Sequence, residues 1–206
     1  VWISNYGYEN TLESIDVSLK KLGTDYLDLV LLHQPFSETY GAWRALEKLY
    51  KDGVIRAIGV SNFYPDRLVD LALHADVVPA VDQIEVNPFD QKNESLKWAA
   101  KYGVQVEAWA PFAEGRGGLF TNPELTAIGE NHGKSVGQVV LRWLIQRGIV
   151  PISKTTRKER MAENLNLFDF QLTPDEMAAI AKLDTATSQF FDHRTPESVE
   201  YVAKLH

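Results

Sequence analysis

Apolar residues along the chain switch between two rhythms. At Leu12, Ile15, Leu19 and Leu22 they recur at helical spacing, which predicts a helix from Asn10 that Gly23 ends. Residues 27–32 then run nearly apolar, broken only by Asp28, between a Gly-Thr-Asp turn and Pro35. This predicts a strand buried on both faces, as in a parallel sheet covered by helices. Side chains alternate along a strand, so Leu29, Leu31 and His33 share one face, with the titratable His33 at the carboxyl end. The alternation continues: a helix over 39–52 with Trp43, Leu46, Leu49 and Tyr50 on one face, a strand over 55–62, a helix over 65–75 and a strand over 80–87 stopped by Pro88. A helix over 93–102, a strand over 105–111, a glycine-rich loop over 115–118 and a short helix over 123–132 follow. Ser135 caps a helix reaching Arg147, residues 149–154 form the last strand, and helices over 158–167 and 173–183 lead to a tail from Thr185 that reads as irregular with one last turn. Residues 4–9, near the start, are polar and turn-like.

Strict alternation of strand and helix argues for an α/β fold with a parallel sheet, and no linker divides 1–206 into domains. Doubly wound sheets and eight-stranded barrels both fit the pattern. Polar residues at strand ends (His33, Ser61-Asn62, Gln83, Lys154) favour the (β/α)8 barrel, whose single site is fed by every strand. A doubly wound fold would carry GxGxxG after its first strand, and none occurs. About five of the eight strands are accounted for.

Composition narrows the class further. A formal charge of −7 argues against a polyanion partner and so against nucleic acid. The absence of cysteine excludes disulfides, thiolate metal sites and a Cys nucleophile, and fits a cytoplasmic protein. No metal site is expected. No apolar run is long enough to span a bilayer, so no membrane partner is expected, and no signal peptide is visible.

Four stretches together carry a recognisable pattern: ENTLESIDVSLKKLGTDYLDLVLLHQP, GVIRAIGVSNF, VDQIEVNP and SKTTRKERMAEN. In this order and spacing the chain resembles the aldo-keto reductases from Val1 to about Leu183, and APFAEGRGGLF with FFDHRTPESVEYV is similar to the bacterial and microbial branch. The resemblance implies an NADP(H)-dependent reductase of small-molecule aldehydes or ketones, monomeric when complete. Its chemistry rests on a tetrad of Asp, Tyr, Lys and His, of which His33 matches the histidine. The family Lys falls just before Val1, with Asp and Tyr further upstream, so the chain is expected to lack an amino-terminal portion. Alone it is expected to be inactive and unstable, because an open five-stranded arc leaves two strand edges unpaired. Tyr6 or Tyr8 would be the nearest substitute acids. A non-catalytic NADP(H)-binding regulatory module on the same barrel is the alternative, separable by the residues preceding Val1.

The same resemblance assigns individual roles. His33 holds the substrate carbonyl oxygen and Trp2 lines the substrate pocket. Ser61, Asn62 and Gln83 bond the nicotinamide carboxamide, which needs donors and acceptors together. Trp109 stacks on the nicotinamide ring, while Phe112 and Glu114 approach the cofactor from their loop. Lys154, Arg160 and the Thr155 hydroxyl grip the adenosine 2′-phosphate, and Glu163 with Asn164 contacts adenine. Ser153 stands where the family has proline. Phe190 and Phe191 reach the substrate pocket from the tail (185–206). Arg157 is read as solvated, Glu107 as a buried charge with no assignable partner, and His74, His132, His193 and His206 as surface or packing residues without partners.

Overall fold

The computed structural model describes residues 1–205; the expectation for His206 lies outside them. The described residues divide into two compact units. The first comprises Val1–Ile84, Glu94–Gln105 and the residues from Asp192 onward; the second comprises Glu85–Asn93 and Val106–Phe191.

In the first unit, a 3-10 turn at Ile3–Asn5 leads into α1 (Tyr8–Leu22), which ends as predicted: Gly23 takes φ 68° and donates its N–H to Leu19 O. Ile15 is buried, but Leu22 is 67% exposed and leaves the expected apolar face. Then come β1 (Val30–Leu32), α2 (Thr39–Lys51), β2 (Ile58–Ser61), α3 (Pro65–His74), β3 (Val81–Glu85) and α4 (Asn93–Tyr102). β1 pairs with β2 in parallel, Leu31 opposite Gly59, and β2 pairs with β3, Ser61 opposite Gln83. β2 lies between the other two and is buried at all four positions. Gly59 is required there, because a Cβ would come within 2.7 Å of Val81 O and 2.8 Å of the Leu31 side chain.

β1 departs from expectation. Val30 and Leu32 are buried, whereas Leu29 is 36% exposed and His33 is exposed. One face of the strand is buried, not both. The strand is also short: Leu27 contributes one isolated bridge to Ile55, and the Asp28 side chain forms an exposed ion pair with Arg56. On α2, Trp43, Ala45 and Leu46 are fully covered while Tyr50, assigned to the same face, is 40% exposed. The tail is more ordered than expected. Thr195 caps a two-turn helix, α9 (Pro196–Ala203), by accepting the Ser198 N–H, and Val202 is buried.

The second unit contains β4 (Gln105–Trp109), α5 (Pro123–His132), α6 (Val136–Gln146), β5 (Val150–Pro151), α7 (Lys158–Leu165) and α8 (Pro174–Ala181). β4 and β5 run parallel, Glu107 opposite Val150 and Ala108 opposite Pro151. The last strand is far shorter than 149–154. Pro151 has no N–H to donate, and only the Ile152 N–H to Ala108 O continues the ladder. The Ser135 cap is present as a reciprocal box with Gln138, and it starts a helix whose Val139, Val140, Leu141, Trp143 and Leu144 are buried. A second box, Thr173 with Glu176, starts α8. Among the described residues, no helix is long and apolar enough to cross a membrane.

The histidines have more structure than expected. His132 Nε2 lies 2.9 Å from the carboxylate of Glu176, so one glutamate both caps α8 and holds α5. His74 Nδ1 lies 2.8 Å from Asp70 O. His193 is 5% exposed and engaged with its surroundings. The reading of these three as partnerless is overturned, because the partners are brought up by tertiary packing or by one helical turn.

Candidate functional site

Strand register assembles the first set of predicted residues. Leu31 faces Gly59 and Ser61 faces Gln83, so alternation puts His33, Ser61 and Gln83 on one face of the first unit's sheet, toward the carboxyl ends of its strands. Side-chain bonds tie them. Ser61 Oγ donates to Gln83 O at 2.7 Å, the Asn62 N–H donates to the same oxygen at 3.0 Å, and Asn62 Nδ2 donates to His33 O at 3.0 Å. Asn62 holds φ 60°, a left-handed conformation that asparagine tolerates better than most residues. That turn is what carries its amide back over the end of β1.

His33 is fixed on both sides of its backbone. Its N–H donates to Val1 O at 3.0 Å, and the Val1 amino group donates to Leu31 O at 2.7 Å, so Val1 lies along the edge of β1. The imidazole meets the Trp2 ring edge-on with centroids 4.9 Å apart, and Trp2 Nε1 is anchored on Leu205 O at 2.8 Å. Although the residue as a whole is exposed, burial of part of the ring holds His33 below the ordinary histidine pKa. The ring is therefore neutral at pH 7, with one nitrogen donating and one accepting. Tyr6 is 4% exposed; its hydroxyl donates to Gln34 O and accepts the Gln34 N–H, and burial pushes its pKa far above the usual phenol range.

Beneath this face lies Asp82, which the sequence reading passed over. It is 1% exposed, accepts the Phe63 N–H, and has Oδ1 without a hydrogen-bond partner. Burial raises its pKa well above the usual carboxylate value. A raised folded-state value means that folding binds the proton more tightly. Stability is then lost as pH rises from the unfolded carboxylate value of about 3.9 through the folded one. Asp82→Asn is expected to unfold at higher urea than wild type at pH 8, with the difference vanishing near pH 4; equal midpoints at pH 8 would show that the carboxylate is tolerated there.

In the second unit, a cavity of about 560 Å³ collects most of the remaining candidates: Phe112, Glu114, Lys154, Thr155, Arg160, Glu163 and Asn164 all line it. Arg157, read as solvated, is exposed yet belongs to the same wall. Among the described residues, none of these three cations is in an ion pair with a carboxylate. The wall is organised by local bonds. Asn164 Nδ2 donates to Ser153 Oγ, which gives the serine at the position of the family proline a definite role. Thr155 Oγ1 accepts the Arg157 N–H, and the Ser135 hydroxyl donates to Glu163. Phe120, not singled out from sequence, closes the cavity against Phe112 at 5.6 Å between rings.

Trp109 is half-buried and packs against Phe190, centroids 5.2 Å apart; Arg116 lies over the Phe190 ring at 4.3 Å. The glycine-rich loop containing Arg116 has Gly115, Gly117 and Gly118 at positive φ, and a Cβ on Gly117 would come within 3.0 Å of Phe89. Glu107, expected to be buried, is half-buried and has contacts of its own.

Comparison with known proteins bears on all of this. The profile of the Aldo/keto reductase family matches residues 1–185. A glyoxal reductase of Bacillus subtilis is 46% identical over 185 residues, covering 89% of this chain and 66% of its own length. An uncharacterized oxidoreductase of the same organism is 45% identical, with coverage of 89% and 65%. The chain thus spans just under two thirds of these relatives' length. Among solved structures, an aldo-keto reductase from a Medee basin deep-sea metagenome library superposes with a TM-score of 0.91 at 36% identity, covering 95% of this chain and 73% of its own. A Bombyx mori aldo-keto reductase in complex with NADP gives 0.88 at 34% identity, covering 94% and 69%. These neighbours are (β/α)8 barrels, and the fold class is α/β of that kind. The chain belongs to the aldo/keto reductase family.

Proposed function

We propose that the protein is an NADP(H)-dependent reductase of small aldehydes or ketones. The observation that carries this reading is the cavity of the second unit, where Lys154, Arg157 and Arg160 gather without carboxylate partners beside the Thr155 hydroxyl, at the start of α7. A helix start already favours anions, and three cations held in no ion pair, next to a hydroxyl, suit a phosphate monoester even though Glu114, Glu159 and Glu163 line the same cavity. Lys154, Thr155 and Arg160 would hold the adenosine 2′-phosphate, with Glu163, Asn164, Phe112 and Glu114 around the adenosine. In the first unit, Ser61, Asn62 and Gln83 would hold the nicotinamide carboxamide.

When bound, the cofactor supplies the hydride. The chain's own residues orient and polarise. Neutral His33 donates a ring N–H to the carbonyl oxygen, Trp2 fixes the ring plane, and Asn62 and Val1 fix the backbone that carries it. Tyr6 does not serve as the acid, since its hydroxyl is buried and committed in both directions to Gln34. The glyoxal reductase name of one relative makes small dicarbonyls a sensible first substrate class to assay.

Fluorescence titration tests the cofactor assignment. NADPH is expected to bind more tightly than NADH, and Lys154→Met to weaken NADPH by about 10–100-fold, one charge-assisted contact, while leaving NADH nearly unchanged. Equal affinities for the two cofactors in wild type would remove the reading of the cavity.

A further inference from the structure

We infer that Glu85, at the end of β3, is a positioning residue that clamps the tail segment 188–191 and thereby sets Phe190 against Trp109. Glu85 is 4% exposed, and three donors converge on its carboxylate. Ser188 Oγ donates to Oε2 at 2.5 Å, the Gln189 N–H donates to Oε1 at 2.9 Å, and Asn87 Nδ2 donates to Oε1 at 3.1 Å. Ser188 has no freedom to reverse its bond, because its oxygen already accepts the N–H groups of Phe190 at 3.0 Å and Phe191 at 3.1 Å. Its hydroxyl must donate, so it needs an acceptor. A carboxylate offers two accepting oxygens, whereas a glutamine offers one and turns an NH2 on the remaining donors.

The clamp lies within a longer seam. Thr185 donates its N–H and its hydroxyl to Phe89 O, both at 2.8 Å, and Arg116 donates to Gln189 O at 2.7 Å. Downstream of these bonds Phe190 is held between Trp109 and Arg116. Sequence gives no hint of it, since Glu85 and Ser188 are 103 residues apart. The consequence for substrate choice rests on the reductase reading: with Phe190 released, bulky carbonyls lose an aromatic wall that the smallest ones never touch.

The test compares Glu85→Gln and Ser188→Ala with wild type by amide hydrogen exchange and by steady-state kinetics on a small dicarbonyl and a bulky aryl aldehyde. Both variants are expected to exchange the amides of 189–191 at least about tenfold faster, and to raise KM for the aryl aldehyde about tenfold with much less effect on the dicarbonyl. Ser188→Ala leaves the buried carboxylate in place but itself removes the acceptor of the Phe190 and Phe191 N–H groups, so in that variant the Gln189 amide, bonded to Glu85, is the reporter of the clamp even if Glu85→Gln folds poorly. Unchanged exchange of the Gln189 amide in Ser188→Ala would overturn the clamp. Faster exchange with an equal loss on both substrates would overturn the selectivity role. A wild type that reduces no carbonyl would overturn the reductase reading and the selectivity built on it, while the exchange comparison still decides the clamp.

Discussion

Trp43→Ala is expected to destabilise the protein by about 3–5 kcal/mol, the usual cost of truncating a fully buried aromatic. Trp43 is 1% exposed, and its Nε1 donates to Val77 O at 3.2 Å. One turn on, buried Glu47 accepts the Val77 N–H at 2.9 Å. Two residues four apart on α2 therefore grip both polar groups of one peptide residue, and the chain between α3 and β3 is seated by them. Alanine would remove the ring volume and leave a buried carbonyl unpaired, and each has its own cost. Against a typical total of about 5–15 kcal/mol the loss is a large fraction. Trp43→Phe separates the two contributions: it keeps most of the apolar volume and is expected to cost much less, nearer the single hydrogen bond of about 1 kcal/mol. Urea unfolding of the two variants measures both. An alanine variant within 1 kcal/mol of wild type would mean that the site collapses around the missing ring.

The second large effect concerns chemistry and rests on the proposed reductase activity. His33→Ala is expected to lower kcat by roughly 10²-fold, because a carbonyl left without an orienting donor samples many unproductive poses. The cofactor titration should be unaffected in the second unit's cavity, whose lining does not include His33. The pH dependence follows from the downward shift. Neutral His33 is the donor, its pKa lies below the ordinary value, and so its contribution should stay level from pH 8 to about 6.5 and decline only at lower pH. A profile that already falls at pH 7 would show that His33 is not held below the ordinary histidine value, or that another group titrates. His33→Gln, which restores an N–H donor, should recover part of kcat; no recovery would point to packing on Trp2 as the role of the ring.

Much of this was legible in the chain. Apolar spacing located the helices, Gly23 and Ser135 marked where α1 stops and α6 starts, and Pro88 marked the end of a strand. These are local properties: backbone conformational freedom, capping and periodicity are settled within a few residues. His33, Ser61, Asn62 and Gln83 stand out in the sequence as polar residues at the carboxyl ends of apolar strands, and the roles proposed for them come from the family resemblance; that β1, β2 and β3 pair in a register that brings His33, Ser61 and Gln83 to one face is decided by the fold. The residues from Lys154 to Asn164 line one cavity because they are contiguous and lead into α7, while the roles proposed for them come from the family resemblance.

What sequence could not carry were the features made by distant pairs. A near-continuous apolar run does not say which strand lies in the middle of the sheet, so β1 was assigned the two-sided burial that belongs to β2. His132 was read as partnerless because Glu176 is 44 residues away. Glu85, Asp82 and Trp43 are the clearest cases. An acid in a strand or a tryptophan on a helix has the same local meaning wherever it occurs. Whether it is a clamp, a buried acid or an anchor depends on which donors and acceptors the fold brings to it, because burying a polar group is costly to the extent that the tertiary structure leaves it without partners.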